Sequence, residues 1–169
     1  PGRSVFIRSI WFFISTLFVQ CSWNPVSSIR VMLLRLFGAR IGANVTIKPG
    51  VHVKYPWMLQ VGNSVWIGEN VWIDNLAQVT IADDVCISQG AYLLTGNHDY
   101  SKSTFDLLVK PIELKEGVWI GAKSIVCPGV ICQSHAVLTV GSVARNELQA
   151  YTINSGNPAL PIKERVIKS

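Results

Sequence analysis

The chain has 169 residues, of which 49% are hydrophobic, and this size and composition predict one domain with a buried core. The formal net charge of +5 is unevenly spread, because seven Arg and Lys residues but no Asp or Glu precede Glu69. This asymmetry suggests an anionic partner for the N-terminal part, although a solvated basic face would give the same pattern. The sequence contains no basic–aromatic module, which argues against nucleic-acid binding.

Residues 1–40 form a basic and apolar N-terminal segment. Residues 10–19 are nearly all apolar, but this run is too short for a membrane span of about 20 residues. A second helix is predicted over residues 27–37, with Gly38 as its stop. The segment is expected to be helical and to serve as a cap on the following fold, as an interfacial membrane anchor, or as both. The basic residues expected to face a membrane are Arg3, Arg8, Arg30, Arg35 and Arg40.

Along most of the chain from residue 41 onward, an apolar residue returns every six positions, with two extra residues at one corner of each of the first coils. The positions are Ile41, Ile47, Val53, Val61, Ile67, Ile73, Ile81, Ile87 and Leu93, and then Leu114, Ile120, Val126, Cys132 and Leu138. Neither the helical period nor simple alternation produces this pattern, whereas a short strand plus a tight turn does, with three such units in each triangular coil. The sequence therefore predicts an all-β fold, a parallel β-helix over residues 41–145, followed by a C-terminal tail over residues 146–169.

The repeat is interrupted once, and the interruption carries the candidate catalytic residue. The first three coils start at regular intervals, at Ile41, Val61 and Ile81. A fourth coil at the same interval would start at position 101, but the six-residue pattern resumes only at Leu114. A segment is therefore inserted within the loop 95–111. Long loops in compact domains are usually functional. His98 lies in this loop and is the candidate general base, the alternative being an ordinary solvated histidine.

The cysteines and histidines point away from metal chemistry. The four cysteines have no zinc-type spacing and are expected to be buried free thiols in a reducing compartment. A metal enzyme of the γ-carbonic-anhydrase type would need three clustered histidines, whereas His52, His98 and His135 are widely spaced. No metal is predicted.

Several short motifs within residues 41–163 resemble those of the hexapeptide-repeat O-acetyltransferases. Besides the hexads, they are GNHD at 96–99, VWIGA at 118–122 and GNPA at 156–159. The phrases KYPW at 54–57 and WIDN at 72–75 resemble the colanic-acid-biosynthesis group, which is related to galactoside, maltose and nodulation acetyltransferases. The resemblance implies a left-handed parallel β-helix of hexapeptide repeats with a short N-terminal helical segment.

The resemblance also implies an activity, namely transfer of an acetyl group from acetyl-CoA to a sugar hydroxyl in exopolysaccharide or other surface-glycan biosynthesis. His98 would be the base. The expected acceptor-binding residues are Asp74, Asn75, Asn97 and Asp99, and the expected cofactor-binding residues are Trp119, Gly121, Ala122, Gly141, Ser142 and Lys163. For Asp74 and Asn75 the alternative is turn chemistry, and for the glycines it is the geometry of the hexad turns.

The family pattern also sets expectations about partners and marks one departure. Leu160 stands where the family usually has a basic residue after GNPA, which removes one expected phosphate contact. The implied assembly is a homotrimer whose sites each draw on two subunits. It would work in the cytoplasm, with peripheral contact to the inner face of the membrane through residues 1–40 and a sugar or lipid-linked oligosaccharide as acceptor. The alternative to an acetyltransferase is a protein of another functional class, a catalytically inactive hexapeptide-repeat scaffold.

Overall fold

The computed structural model describes residues 2–167, which form a triangular prism of three β-sheets covered at its N-terminal end by helices. Residue 1 of the predicted N-terminal segment and residues 168 and 169 of the predicted tail lie outside the described residues. The chain passes through sheets A, B and C in turn on each coil. Sheet A contains β1 (Arg40–Ile41), β4 (Leu59–Val61), β7 (Val79–Ile81), β12 (Ile112–Leu114) and β15 (Ile131–Cys132).

The other two sheets follow the same order of stacking. Sheet B contains β2 (Thr46–Ile47), β5 (Trp66–Ile67), β8 (Cys86–Ile87), β13 (Trp119–Ile120), β16 (Val137–Leu138), β18 (Thr152–Gly156) and β19 (Ala159–Glu164). Sheet C contains β3 (His52–Val53), β6 (Trp72–Asp74), β9 (Tyr92–Leu94), β14 (Ile125–Val126) and β17 (Val143–Ala144). Within these sheets the pairs are parallel except β18 with β19. A separate antiparallel hairpin, β10 (Gly96–His98) and β11 (Leu107–Val109), occupies the predicted insertion.

The apolar residues of the predicted six-residue pattern pair with one another in neighbouring strands, so the pattern sets the register of the sheets. In sheet A, Ile41 pairs with Val61, Val61 with Ile81, Ile81 with Leu114, and Leu114 with Cys132. The frame residues point inward, and all of them but the half-buried Ile41 are buried. The predicted all-β parallel β-helix is therefore confirmed.

A glycine after the apolar residue is required by the close stacking of coils. A Cβ atom built on Gly121 would lie 2.6 Å from the backbone nitrogen of Val140 and 2.7 Å from the carbonyl oxygen of Leu138, both in the next coil. A Cβ atom built on Gly68 would likewise lie 2.7 Å from the backbone nitrogen of Gln89. These glycines are therefore explained by backbone packing, independently of any ligand.

The N-terminal segment covers the open edge of the first coil. It contains α1 (Val5–Ile14), a π-helical turn (Ser15–Val19) and α2 (Ser27–Leu36), and a short 3₁₀ turn (Pro56–Met58) follows later in the chain. The indole N–H of Trp11 donates to the carbonyl of Val53 at 2.9 Å, and the backbone N–H of Ile47 donates to the hydroxyl of Ser27 at 2.8 Å. These contacts satisfy edge groups of β3 and β2, so the segment acts as a cap. No helix in residues 2–167 has the length and apolar content needed to span a bilayer.

Arg30 belongs to the interior of this cap, contrary to the expectation that it faces a membrane. Its side chain is fully buried and donates to the backbone carbonyls of Val19, Cys21 and Asn24. Burial lowers the pKa of its guanidinium. Arg35 is exposed, but it donates to the carbonyls of Ile41 and Gly42. Both arginines satisfy backbone carbonyl groups of the cap and of the first coil.

The C-terminal tail is joined to the prism. Strand β18 pairs with β16 in sheet B, and β19 folds back on β18. Arg165 then donates to the carbonyls of Gly117 and His135, at 2.8 and 3.0 Å. The tail thus extends sheet B beyond residue 145.

Candidate active site

His98 is the last residue of β10, in the hairpin at the corner between sheets C and A. Its Nδ1 atom lies 2.6 Å from the carbonyl oxygen of Phe105. A carbonyl oxygen only accepts hydrogen bonds, so in the neutral ring Nδ1 carries the proton and Nε2 keeps a free lone pair. The side chain is exposed, so Nε2 is accessible from outside the prism. This is the arrangement that a general base needs.

The loop that supplies the Phe105 carbonyl is held by its own polar side chains. Lys102 lies 2.9 Å from the carboxylate of Asp106 and 3.8 Å from that of Asp99. The hydroxyl of Thr104 donates to Asp106 at 2.8 Å, and the backbone N–H of Asp99 donates to the carbonyl of Asp106 at 2.9 Å. The bonds from Lys102 and Thr104 lower the pKa of Asp106 below its usual value. We call this group of residues 99–106 the loop clamp.

Phe105 contributes its backbone rather than its side chain to the site. Its φ angle is +48°, in the left-handed region that non-glycine residues seldom adopt. Its N–H donates to the carbonyl of Lys102 at 3.1 Å, and its ring is 58% exposed. This local backbone strain turns the carbonyl that holds His98, and such strain is common at functional sites.

Two predicted acceptor contacts, Asn97 and Asp99, are engaged within the same loop. The side-chain oxygen of Asn97 accepts from the backbone N–H of His98 at 2.8 Å. The carboxylate of Asp99 accepts from the backbone N–H and the hydroxyl of Ser101, at 3.1 and 2.5 Å. Both side chains therefore shape the loop around His98, and their contact with an acceptor stays a prediction.

Asp74 and Asn75, the other predicted acceptor contacts, lie where sheet C meets the hairpin. The buried hydroxyl of Thr95 donates to the carbonyl of Asp74 at 2.8 Å, and the carboxylate of Asp74 lies 2.8 Å from the ammonium of Lys54. Asn75 is fully buried, and its side-chain amide bonds to both the N–H and the carbonyl of Tyr55, at 2.9 and 2.6 Å. Asn75 thus holds the backbone of the preceding coil, and its contact with an acceptor stays a prediction.

A cavity of about 720 Å³ opens between α1 and sheet C, beside Asp74. On its sheet side, the rings of His52 and Trp72 stack with centroids 4.3 Å apart and planes 3° apart. Burial lowers the pKa of His52, which favours the neutral ring. Arg8 and Phe12 line the helix side of the cavity. We call this cavity the α1 pocket.

Sequence reasoning missed the α1 pocket, although one signal was present. His52, Trp72 and Tyr92 occupy the same outward position in three successive coils, and strand pairing stacks them on one face of sheet C. Burial, with a smaller contribution from the charge of Asp74, raises the pKa of Tyr92. A ladder of rings on an outer face is a feature of ligand surfaces.

Three of the predicted cofactor residues form an open surface between sheets B and C. The ring of Trp119 is 47% exposed, and its indole N–H donates to the hydroxyl of Ser88 at 2.9 Å. Gly141 is exposed with φ +66°, and a Cβ atom there would meet nothing within 4 Å. Its N–H donates to the carbonyl of Ala122 at 2.9 Å. This corner leaves room for a ligand close to the backbone.

The remaining predicted cofactor residues have structural partners of their own or lie on the tail. Gly121 is buried against the next coil, as described above. The hydroxyl of Ser142 accepts from the N–H of Gly156 at 3.0 Å and so connects the prism to the tail. Lys163 is an exposed residue of β19. The cofactor roles of all these residues stay predictions.

The structure does not bring the predicted base and the predicted cofactor surface together within one chain. The His98 hairpin joins β9 to β12 at the corner between sheets C and A, whereas Ala122 and Gly141 lie in turns between sheets B and C. The whole of sheet C separates the two corners.

The cysteines and histidines do not form a cluster. In the described part of the chain, no group of three or more His, Cys, Asp or Glu residues could hold a metal ion. All four cysteines are free, but only Cys132 is buried, which corrects the expectation that all four are. Burial raises the pKa of its thiol to about 12, so it is a poor nucleophile.

A parallel β-helix built on a six-residue repeat is the architecture of hexapeptide-repeat proteins. No protein-family model matches the chain. The chain is, however, 37% identical to the "Putative colanic acid biosynthesis acetyltransferase WcaF" of Escherichia coli strain K12, over 98% of this chain and 90% of that protein. The chain therefore belongs to the family of this protein, within the hexapeptide-repeat acetyltransferases, and its enzyme class is acyltransferase. The resemblance drawn from the motifs is confirmed.

Solved structures show the same fold. The hexapeptide-repeat acetyltransferase VCA0836 of Vibrio cholerae, in complex with acetyl-CoA, superposes with a TM-score of 0.83 at 23% identity, over 97% of this chain and 91% of that one. A galactoside acetyltransferase in complex with coenzyme A gives a TM-score of 0.82 at 22% identity, over 97% and 84%. At this identity the similarity concerns the fold, and it confirms the predicted left-handed β-helix.

Proposed function

We propose that the chain transfers an acetyl group from acetyl-CoA to a hydroxyl of a sugar, in the synthesis of exopolysaccharide or another surface glycan. Membership of an acetyltransferase family supports the acyl transfer, and the bound acetyl-CoA and coenzyme A of the two structural neighbours support the donor. The relative named for colanic acid biosynthesis supports a sugar acceptor. The observation that carries the proposal is the exposed His98, whose Nδ1 is held by the carbonyl of Phe105.

His98 would act as the base in a direct transfer. Its Nε2 takes the proton of the acceptor hydroxyl while the hydroxyl oxygen attacks the carbonyl carbon of the thioester. The tetrahedral intermediate then expels the thiolate of coenzyme A, which receives that proton from the imidazolium. The Phe105 carbonyl stabilises the imidazolium through Nδ1–H, and general base catalysis of this kind contributes roughly 10²–10⁴-fold to the rate.

The α1 pocket is suited to the acceptor. Its volume of about 720 Å³ falls within the range of small-ligand sites. The flat faces of Trp72 and His52 can pack against the apolar face of a sugar ring, and the carboxylate of Asp74 can accept hydrogen bonds from its hydroxyls. Asp74 is also bonded through its carbonyl to Thr95, which directly precedes the His98 hairpin. The pocket is thereby linked to the base.

The coenzyme would occupy the corner of Trp119, Ala122 and Gly141, with Lys163 near its phosphates. Since this corner and His98 lie at opposite edges of sheet C, each complete site would combine the hairpin of one subunit with the corner of the next. A closed ring of three prisms satisfies this requirement at every interface. Exposed apolar residues of the hairpin, Leu107 and Leu108, offer a contact surface for the neighbouring prism. The reaction would take place in the cytoplasm, where acetyl-CoA is supplied.

An acceptor screen tests the proposal. The purified chain is incubated with acetyl-CoA and with neutral sugars, nucleotide sugars, lipid-linked oligosaccharides or amino sugars, and both coenzyme A release and product mass are measured. We expect O-acetylation of a sugar-containing acceptor and no release without it. Transfer only to amines would exclude the proposed reaction. Binding of acetyl-CoA without transfer to any of these acceptors would instead support the inactive scaffold.

A further inference from the structure

The cap has an outer face that nothing in the described chain covers. On α1, Trp11 is buried in the core and Ile14 packs against it. Another side of α1 exposes Phe6, Ile10 and Phe13, and the π-helical turn that follows exposes Leu17; these side chains are 74%, 36%, 63% and 56% exposed. Their spacing of four, three and four residues aligns them in one stripe along the helix. A stripe of this kind is unusual on a surface that faces only water.

The stripe continues beyond α1. The turn after α1 exposes Phe18 and Trp23, and α2 exposes Ile29, Met32 and Leu36 at helical spacing. Trp23 and Leu36 are 68% and 75% exposed. We call the exposed apolar residues of positions 6–36 the outer face of the cap.

The charged side chains of the cap itself have one sign. No Asp or Glu precedes Glu69 in the sequence. Arg30 is buried and Arg35 is bonded to backbone carbonyls, so neither is a free surface cation. Arg3 and Arg40 are exposed, and no salt bridge joins them to an acidic side chain within residues 2–167. The outer face is therefore apolar and aromatic, and the charged residues of the cap itself are all cations.

We propose that the outer face of the cap docks on the surface of an anionic phospholipid bilayer. Aromatic and aliphatic side chains enter the boundary between headgroups and acyl chains, while the arginines meet anionic headgroups. A second copy of the chain is a poorer occupant. Packing two such faces together would bring the same cations against each other, and side-by-side assembly of prisms would leave the capped ends uncovered.

Docking in this way would bring the α1 pocket close to the membrane. Phe12 and Phe13 line the pocket, and α1 carries the stripe on its outer side. An acceptor sugar attached to a lipid could then enter the pocket while its lipid stays in the bilayer. This consequence rests on the proposed function, whereas the docking itself does not.

Vesicle flotation tests the docking without reference to activity. The whole chain is mixed with vesicles of phosphatidylcholine containing phosphatidylglycerol, or with pure phosphatidylcholine, and floated at low and high salt. We expect binding to the anionic vesicles that weakens with salt. The double variant Phe6→Ser, Phe13→Ser should lower the partition coefficient into anionic vesicles by roughly 100-fold. The double variant Arg3→Gln, Arg40→Gln should lower the same coefficient by about 5-fold for each charge removed, when measured at low salt.

Matched variants and a depth probe separate docking from general stickiness. Ile162→Ser, Val166→Ser removes exposed apolar groups of the tail, and Lys123→Gln, Arg145→Gln removes two charges from later coils, so both should bind like the wild type. Brominated lipids should quench the fluorescence of the wild type but much less that of Trp23→Phe.

Three results would overturn the docking proposal. The first is that the wild type does not float with anionic vesicles at low salt. The second is equal loss of binding in the outer-face and control variants. The third is dissociation of the oligomer by Phe6→Ser, Phe13→Ser in light scattering, without an effect on vesicles, because this would assign the face to a contact between subunits.

Discussion

The ring of His98 and the carbonyl of Phe105 are joined across the inserted loop by a hydrogen bond of 2.6 Å. This single contact selects the tautomer of the candidate base and fixes the direction of its Nε2 atom. The bond depends on the loop clamp, because Lys102 and Asp106 close the turn from which the Phe105 carbonyl projects. The proposed catalytic role of His98 therefore depends on residues 99–106 as well as on the histidine.

Removing the imidazole should abolish most activity without unfolding the chain. We expect His98→Ala to lower kcat by roughly 10²–10⁴-fold, since the acceptor hydroxyl loses its base. The side chain is exposed, so the thermal midpoint should change little. Tyr100→Ala is the matched control, because Tyr100 is 86% exposed in the same loop. Turnover of His98→Ala close to that of Tyr100→Ala would remove His98 from this role.

The backbone of Phe105 should matter more than its ring. Phe105→Gly keeps the positive φ angle without strain, whereas the β-branched side chain of Phe105→Val disfavours it. We expect Phe105→Val to lower kcat by roughly 10-fold with KM for acetyl-CoA unchanged, while Phe105→Gly stays near the wild type. Equal losses in both variants would point to the aromatic ring instead.

The loop clamp should be stable at neutral pH and weaken in acid. The bonds from Lys102 and Thr104 lower the pKa of Asp106 in the folded loop. A carboxylate with a lowered pKa stabilises the folded form at all pH values above its unfolded pKa, and this contribution is lost as the pH falls through the lowered value. Hydrogen-exchange protection of residues 99–106 should therefore be constant above about pH 5 and fall below about pH 4.

Asp106→Asn provides the control for this pH dependence. The amide cannot ionise, so protection of the loop should be reduced at neutral pH and should change less in acid. The rest of the prism reports any general acid unfolding in the same experiment. A wild type and an Asp106→Asn variant with identical profiles would show that Asp106 does not hold the loop.

The sequence predicted the prism well because its determinants are local and periodic. The coil that begins at Ile81 is longer than the others, because the six-residue pattern resumes only at Leu114, and this delay located the insertion. The pairing of Ile81 with Leu114 in neighbouring strands confirms it. His98 could be chosen because it lies in that insertion. These predictions need only the spacing of residues along the chain.

The cap and the α1 pocket could not be predicted in this way, because they depend on contacts between distant segments. Arg30 looked like one of five basic surface residues, but its guanidinium satisfies carbonyl groups in the turn between α1 and α2. The structure also shows that the side-chain amide of Asn75 is bonded to the backbone of Tyr55 in the preceding coil, a contact that the residue type did not reveal. Side-chain type alone does not reveal which backbone groups would otherwise remain without hydrogen bonds.

Arg30 should be a determinant of stability rather than of membrane binding. Arg30→Met keeps much of the side-chain volume but leaves the carbonyls of Val19, Cys21 and Asn24 without their donor. We expect a loss of about 3 kcal/mol in the free energy of unfolding, measured by urea denaturation. Arg40→Met is the matched control, because Arg40 is exposed and should cost less than about 0.5 kcal/mol. Equal, small effects would contradict the buried role of Arg30.

A site shared between subunits makes a distinctive prediction for mixed oligomers. His98→Ala removes the base from one corner of the prism, and Ala122→Trp blocks the open corner on the other side of sheet C. Each variant alone should be inactive.

If each site uses the hairpin of one subunit and the corner of the next, co-refolded mixtures contain interfaces in which both parts are intact. Equal mixing in a ring should then restore about a quarter of the wild-type activity, because one interface in four has the right pairing. If every site lay within one subunit, no mixture could contain an intact site and activity would stay absent. Native mass spectrometry of the same mixtures verifies that mixed trimers have formed, so continued inactivity of these mixed trimers would exclude the shared site.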